Sequence, residues 1–114
     1  MKNIFNRMFG DYKGQKLEIP NFESSEEIRA HIIFHGRVQG VGFRYNAYDI
    51  AMRLQLTGYV RNLQDGTVEL EAQSERDKIK FLIEYMKHLP IIKIEDVDYE
   101  EIPMKEGESK FGLS

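Results

Sequence analysis

From Ala30 onward the hydrophobic pattern switches between two periods. The stretch AHIIFHGRV is rich in β-formers and closes at Gly36 or just after it, which predicts a first strand. FRYNAYDIAMRLQL follows with Phe43, Ala47, Ile50, Ala51 and Leu54 at helical spacing, one apolar face on a helix. TGYVRNL reads as a second strand and QDG as a turn, because an Asp65-Gly66 pair tolerates the left-handed angles of a tight hairpin. TVELEA then sets Val68, Leu70 and Ala72 against Thr67, Glu69 and Glu71, so one side is expected to be buried and the acidic side wet. SERDKIKFLIEYMKHL returns to helical spacing: Ile79, Leu82, Ile83, Met86 and Leu89 form the stripe, Ser74 is the expected cap, and Pro90 stops the run. IIKIEDVDYEEI predicts a fourth strand and KFGLS a short fifth one at an edge.

The order β-α-β-β-α-β predicts an α+β sandwich of the ferredoxin-like kind: an antiparallel sheet covered on one face by two helices. A strand-helix-strand unit makes a right-handed crossover between parallel strands. The third strand pairs back on the second and fits between it and the first. The first two strands then end on the same side, two strand spacings or about 9–10 Å apart. The turn that begins at Gly36 follows one of these ends, and Asn62 sits near the other.

Composition narrows the chemistry. The 114 residues suit one core, and the absence of cysteine excludes disulfides, thiolate catalysis and a Cys-ligated metal. A reducing, cytoplasmic setting is the expectation. No apolar run approaches a membrane span, and the N-terminus lacks the layout of a signal peptide. Residues 1–28 have no sustained period and read as an extension, with Ile4, Phe5, Met8 and Phe9 able to share one face of a short helix. Residues 29–114 read as the domain. The net charge of −3 disfavours general nucleic-acid binding. Yet residues 29–62 hold five arginines and a single acid, Asp49. Either these arginines decorate surfaces, the expectation for Arg29, Arg53 and Arg61, or one end of the fold receives an anion.

The segment GRVQGVGFRYNAY concentrates that question. A strand turning straight into a helix aims backbone N–H groups into the turn, and the helix dipole adds positive potential there. Gly40 and Gly42 allow successive N–H groups to converge in a nest. Arg44, in the first helical turn, carries a fork of donors suited to phosphate or carboxylate. A cation there opposes the dipole, which makes sense if an anion lies between them. A plain glycine turn with Arg44 in solvent is the other reading. Neither a Walker loop nor a dinucleotide fingerprint is present.

GRVQGVGFRYNA followed by LTGYVRNLQDGTVELEAQ closely resembles the acylphosphatase family, with both signature blocks in order and at the family's spacing. The resemblance covers residues 30–113. It implies hydrolysis of the mixed anhydride of a carboxylic and a phosphoric acid, with no metal, no cofactor and no covalent intermediate. By position it implies that Gln39, Gly40, Val41, Gly42 and Phe43 form the phosphate cradle through their backbone N–H groups. Arg44 would be the catalytic arginine, and Asn62 the amide that positions water. The partners so implied are a small acyl phosphate and inorganic phosphate, with no nucleic acid and no membrane. A monomer is the default, and the N-terminal arm is the segment available for self-association. Tyr59 stands where the family usually has tryptophan, and AQS closes the third strand where glycine is common.

Other residues attract milder expectations. His31 and His35 share a strand face but lack a third ligand in sight, so structural or surface roles are expected. His88 suits a helix C-terminus. EDVDYEE reads as a solvated edge strand whose charges block aggregation rather than as a cation site. Phe43 and Tyr45 are expected at core and rim, with contact to an acyl group as a weaker option. The rival functions are a module that binds acyl or carbamoyl phosphate without turnover, and an RNA-binding sheet of the same fold. Against the latter, Glu69 and Glu71 on an open face repel phosphates.

Overall fold

In the computed structural model, which describes residues 19–114, strand β1 spans Glu27–Arg37 and begins before the predicted Ala30. Its alternation buries Ile28, Ala30, Ile32 and Phe34 in one cluster with Ile50, Ala51, Leu82 and Met86 of the two helices. Helix α1 is Phe43–Arg53 and helix α2 is Arg76–Lys87. The strands between and after them are β2 Thr57–Asn62, β3 Val68–Glu75, β4 Lys93–Ile102 and β5 Phe111–Leu113. Helix α1 stops short of the predicted Leu56. Gln55 takes a φ of 61°, and Leu56 N–H turns back to the Ala51 carbonyl at 2.9 Å.

The sheet order is β4-β1-β3-β2-β5. The first four strands are antiparallel to their neighbours, and β3 lies between β1 and β2 as the topology predicted. The fifth departs from the expected antiparallel sheet: β5 runs parallel to β2, with Gly58 opposite Phe111 and Val60 opposite Leu113. The reason is the route of the chain. Residues 103–110 carry it from one edge of the sheet to the other, and it enters the far edge from the end where β2 also starts.

Two further expectations are corrected. Ser74 does not cap α2, because β3 runs on through it and pairs it with Ile28. The first N–H groups of α2 are met instead from upstream: Arg76 N–H donates to the Glu26 carbonyl (2.9 Å) and Asp77 N–H to Ser25 Oγ (3.3 Å). Phe22 sets its ring edge-on against Phe81, centroids 5.5 Å apart, and Ile19 also packs on the core. Helix formation by Ile4, Phe5, Met8 and Phe9 lies outside the described residues.

The second correction concerns the acidic face of β3. It is not simply wet, since Glu69 is 8% exposed. Arg61 Nε donates to Glu69 Oε1, and His31 Nε2 lies 2.7 Å from Glu69 Oε2. Burial raises the Glu69 pKa, but these partners outweigh it and hold the carboxyl below its usual range. Arg29, expected at the surface, is 2% exposed and bonds Glu71, Gln73 and Glu108. Alternation explains the placement: Arg29 and His31 must point away from the helices, onto a face that other polar groups have covered.

Candidate active site

The turn between β1 and α1 is pinned by apolar residues at both ends. Val38 and Phe43 are buried, and the Phe43 ring lies 4.8 Å from that of Phe34. Between them Gly40 and Gly42 take φ values of 73° and 82°, in the left-handed region that side chains with a Cβ avoid. Gly42 is the residue from which α1 starts. The first helical bond runs from Asn46 N–H to the Gly42 carbonyl (3.1 Å), which also accepts from Asn46 Nδ2 (2.8 Å). Among the described residues, no backbone N–H from Gln39 through Tyr45 donates to a protein acceptor. The first turn of α1 holds no acid. Unsatisfied N–H groups of this kind are an anion seat by construction.

Asn62 is the last residue of β2, exposed and opposite Val68. Two tethers hold the turn and Arg44 to this same end of β2. The Gln39 side chain is the first: its Nε2 donates to the carbonyls of Leu63 (2.7 Å) and Thr67 (2.8 Å), the two groups that close the β2–β3 hairpin. Leu63 N–H in turn donates to the Thr67 carbonyl at 2.9 Å. Asp65 Oδ1 accepts from the hydroxyl and the N–H of Thr67, and these bonds hold its carboxyl below the usual range. The second tether is Arg44 Nη1, which donates to the Ser114 carbonyl at 2.7 Å, while Ser114 N–H donates to the Val60 carbonyl. Arg44 is thus linked, through Ser114, to a residue two positions before Asn62. Arg44, Asn62 and the five turn residues come together at one end of the sheet.

Sequence reasoning assigned Gln39 only a backbone role and passed over Ser114. Nothing local marks either, since both contacts depend on chain distant in sequence. The five arginines do not form one cluster. Arg29 lies in the covered face, Arg53 pairs with Asp49 along α1, and Arg61 pairs with Glu69. Only Arg37 and Arg44 flank the turn. Phe43 is core and Tyr45 is 69% exposed.

No carboxylate or imidazole hydrogen-bonds to Arg44, Asn62 or residues 39–43 among the described residues. His35 bonds Asp98 (2.8 Å), and that carboxylate raises the imidazole pKa. Among the described residues no three His, Asp or Glu side chains are grouped to hold a metal ion. Two open grooves of about 400 Å³ lie elsewhere, one between α2 and β4 at Ile83, Val97 and Tyr99, the other between α1 and β5 at Tyr48, Met52 and Phe111.

Residues 30–113 match the family model described as Acylphosphatase. An acylphosphatase of Picrophilus torridus is 49% identical over 73 residues, which is 64% of this chain and 88% of that protein. One from Clostridium beijerinckii is 42% identical over 87 residues, 75% of this chain and 97% of that protein. The crystal structure of acylphosphatase from Bacillus subtilis superposes with a TM-score of 0.71 at 35% identity, covering 76% of this chain and 98% of that one.

Proposed function

The chain belongs to the acylphosphatase family, and we propose that it hydrolyses acyl phosphates at the turn between β1 and α1. One observation carries the site assignment. The run of N–H groups from Gln39 to Tyr45 without protein acceptors shares an end of the sheet with the Arg44 guanidinium and the Asn62 amide. The phosphoryl group sits in the cradle formed by the N–H groups of Gln39, Gly40, Val41, Gly42 and Phe43. Arg44 supplies the charge that offsets its oxygens.

A carboxylate is already a good leaving group, so the protein's task is to hold, neutralise and align. Asn62 holds a water in line behind phosphorus. The water oxygen forms a bond to phosphorus as the bond from phosphorus to the acyl oxygen breaks. The carboxylate departs with that electron pair, and the proton of the attacking water passes to a phosphate oxygen. A neutral amide is a poor base, so the substrate itself is the better acceptor. Every group named comes from one chain, so a monomer suffices, and no metal is required. The RNA-binding alternative is disfavoured because Arg61, His31 and Arg29 on the opposite face are already engaged by Glu69 and Glu71 and are not free to meet phosphates.

Release of phosphate from benzoyl phosphate in the presence of EDTA tests the reading. Turnover that Arg44→Ala and Asn62→Ala abolish is expected, and phosphate binding without turnover would favour a non-catalytic binder.

A further inference from the structure

Arg29 is the most deeply buried charged side chain outside the site, and the chemistry above does not use it. A guanidinium is costly to bury unless its donors are all met. Here Nε donates to Glu71 (2.6 Å), Nη1 to Gln73 (3.0 Å), and Nη1 and Nη2 to the two oxygens of Glu108 (2.8 and 3.2 Å). Glu108 belongs to the connection from β4 to β5, residues 103–110. That connection spans four strand spacings, about 19 Å, with no regular structure of its own. Gln73 holds the same connection one step earlier: its Oε1 accepts from Lys105 N–H and its Nε2 donates to the Lys105 carbonyl, both at 2.9 Å.

The connection delivers only three residues of β5 to the sheet edge. Directly after them the Ser114 carbonyl meets Arg44, the one hydrogen-bond partner of that side chain among the described residues. We propose that Arg29, acting through Glu108, is a positioning residue for Arg44. The pair of buried Arg29 and half-buried Glu108 anchors the far end of the segment whose near end aims the guanidinium at the anion seat. This rests on the role given to Arg44 above. Between Glu108 and Ser114 the chain is held by Gly58 N–H on the Lys110 carbonyl and by the buried Phe111 ring, so Glu108 acts on Ser114 through the register in which those contacts form. A misplacement of 1 Å is enough to lower turnover substantially.

Removing Arg29 would leave the half-buried Glu71 and Glu108 without their cation, so the test removes Glu108. Its measurements are the turnover of benzoyl phosphate, the affinity for inorganic phosphate by ³¹P titration, and the thermal melt. All are made on the full chain, well below the melting temperature. Glu108→Ala is expected to lower turnover by about tenfold and to weaken phosphate binding, with Glu108→Gln in between. With Ser114 deleted, Glu108→Ala should add less than about a twofold further loss, because both changes act through one contact. A Glu108→Ala protein that melts earlier yet binds and turns over normally overturns the relay. So does a full additional loss in the Ser114-deleted background. Arg44→Ala separates the two levels. If it is inactive while Glu108→Ala is normal, only the relay fails, whereas if it is active the role of Arg44 fails as well.

Discussion

At the residue scale, three neighbours at the turn should respond differently to truncation. The Asn62 side chain is exposed and makes no hydrogen bond among the described residues, so Asn62→Ala should leave the denaturation midpoint unchanged. It should also spare inorganic phosphate binding while lowering turnover by roughly 10²–10³-fold, the typical effect of losing one preorganised group. Gln39→Ala removes two hydrogen bonds to hairpin carbonyls, each worth about 1 kcal/mol. It should therefore lower both stability and activity, readable by urea titration beside the rate assay. Gly42→Ala forces a Cβ into a φ of 82°, which costs about 1–2 kcal/mol or is relieved by turning the peptide. Where the peptide turns, the N–H groups of the cradle are re-aimed, so phosphate affinity should fall while the fold survives.

At the element scale, α2 depends on chain outside the region that matches the family model. Its own N-cap residue, Glu75, offers no side-chain bond, and Ser25 and Glu26 serve instead. Arg76 is held in turn by Glu101 and Glu26. Ser25→Ala should cost about 0.5–1 kcal/mol in a chemical denaturation curve, at the low end for caps because the bond is long. Deleting residues 1–26 should cost more, since Phe22 would also leave Phe81 uncovered. Equal stability of the shortened and full chains would show the segment to be dispensable. The crossing from β4 to β5 also relies on distant chain: Gln73 and Glu108 hold its approach, and Phe111 seats β5 in the core.

On the scale of the whole molecule, stability and rate should follow pH differently. Arg76 and Tyr99 hold Glu101 at about 2 against an ordinary 4.5, Arg29 lowers Glu108, and Thr67 lowers Asp65. A carboxyl with a depressed folded pKa contributes stability above its unfolded value and loses it as pH falls. The melting temperature should therefore drop as pH falls below about 4.5 toward 2. His35 has the opposite sign: its raised pKa contributes below 6.5, and the contribution fades as pH rises through the folded value. That effect should be small and salt-sensitive, because the pair is exposed. Among the described residues no acidic or imidazole side chain hydrogen-bonds to the site residues, so turnover should stay nearly flat across neutrality. A sharp bell between about pH 6 and 8 would reveal an acid or base that the mechanism lacks.

Local pattern alone determined the element order, the position of β3 between β1 and β2, and the glycine turn with Arg44 beside it. Periodicity, glycine angles and chain connectivity are short-range properties, and each is written in neighbouring residues. Local chemistry marked Arg44 as a candidate anion ligand, whereas the water-positioning role proposed for Asn62 came only through resemblance, since β2 reaches the turn in space and not in sequence. The tertiary structure alone decided what holds these groups. Gln39 is fixed by a hairpin some 25 residues later, Arg44 by Ser114, and α2 by Ser25. It also reversed the surface readings of Arg29 and Glu69. Alternation says which way a side chain points, but burial depends on which distant chain arrives to cover it.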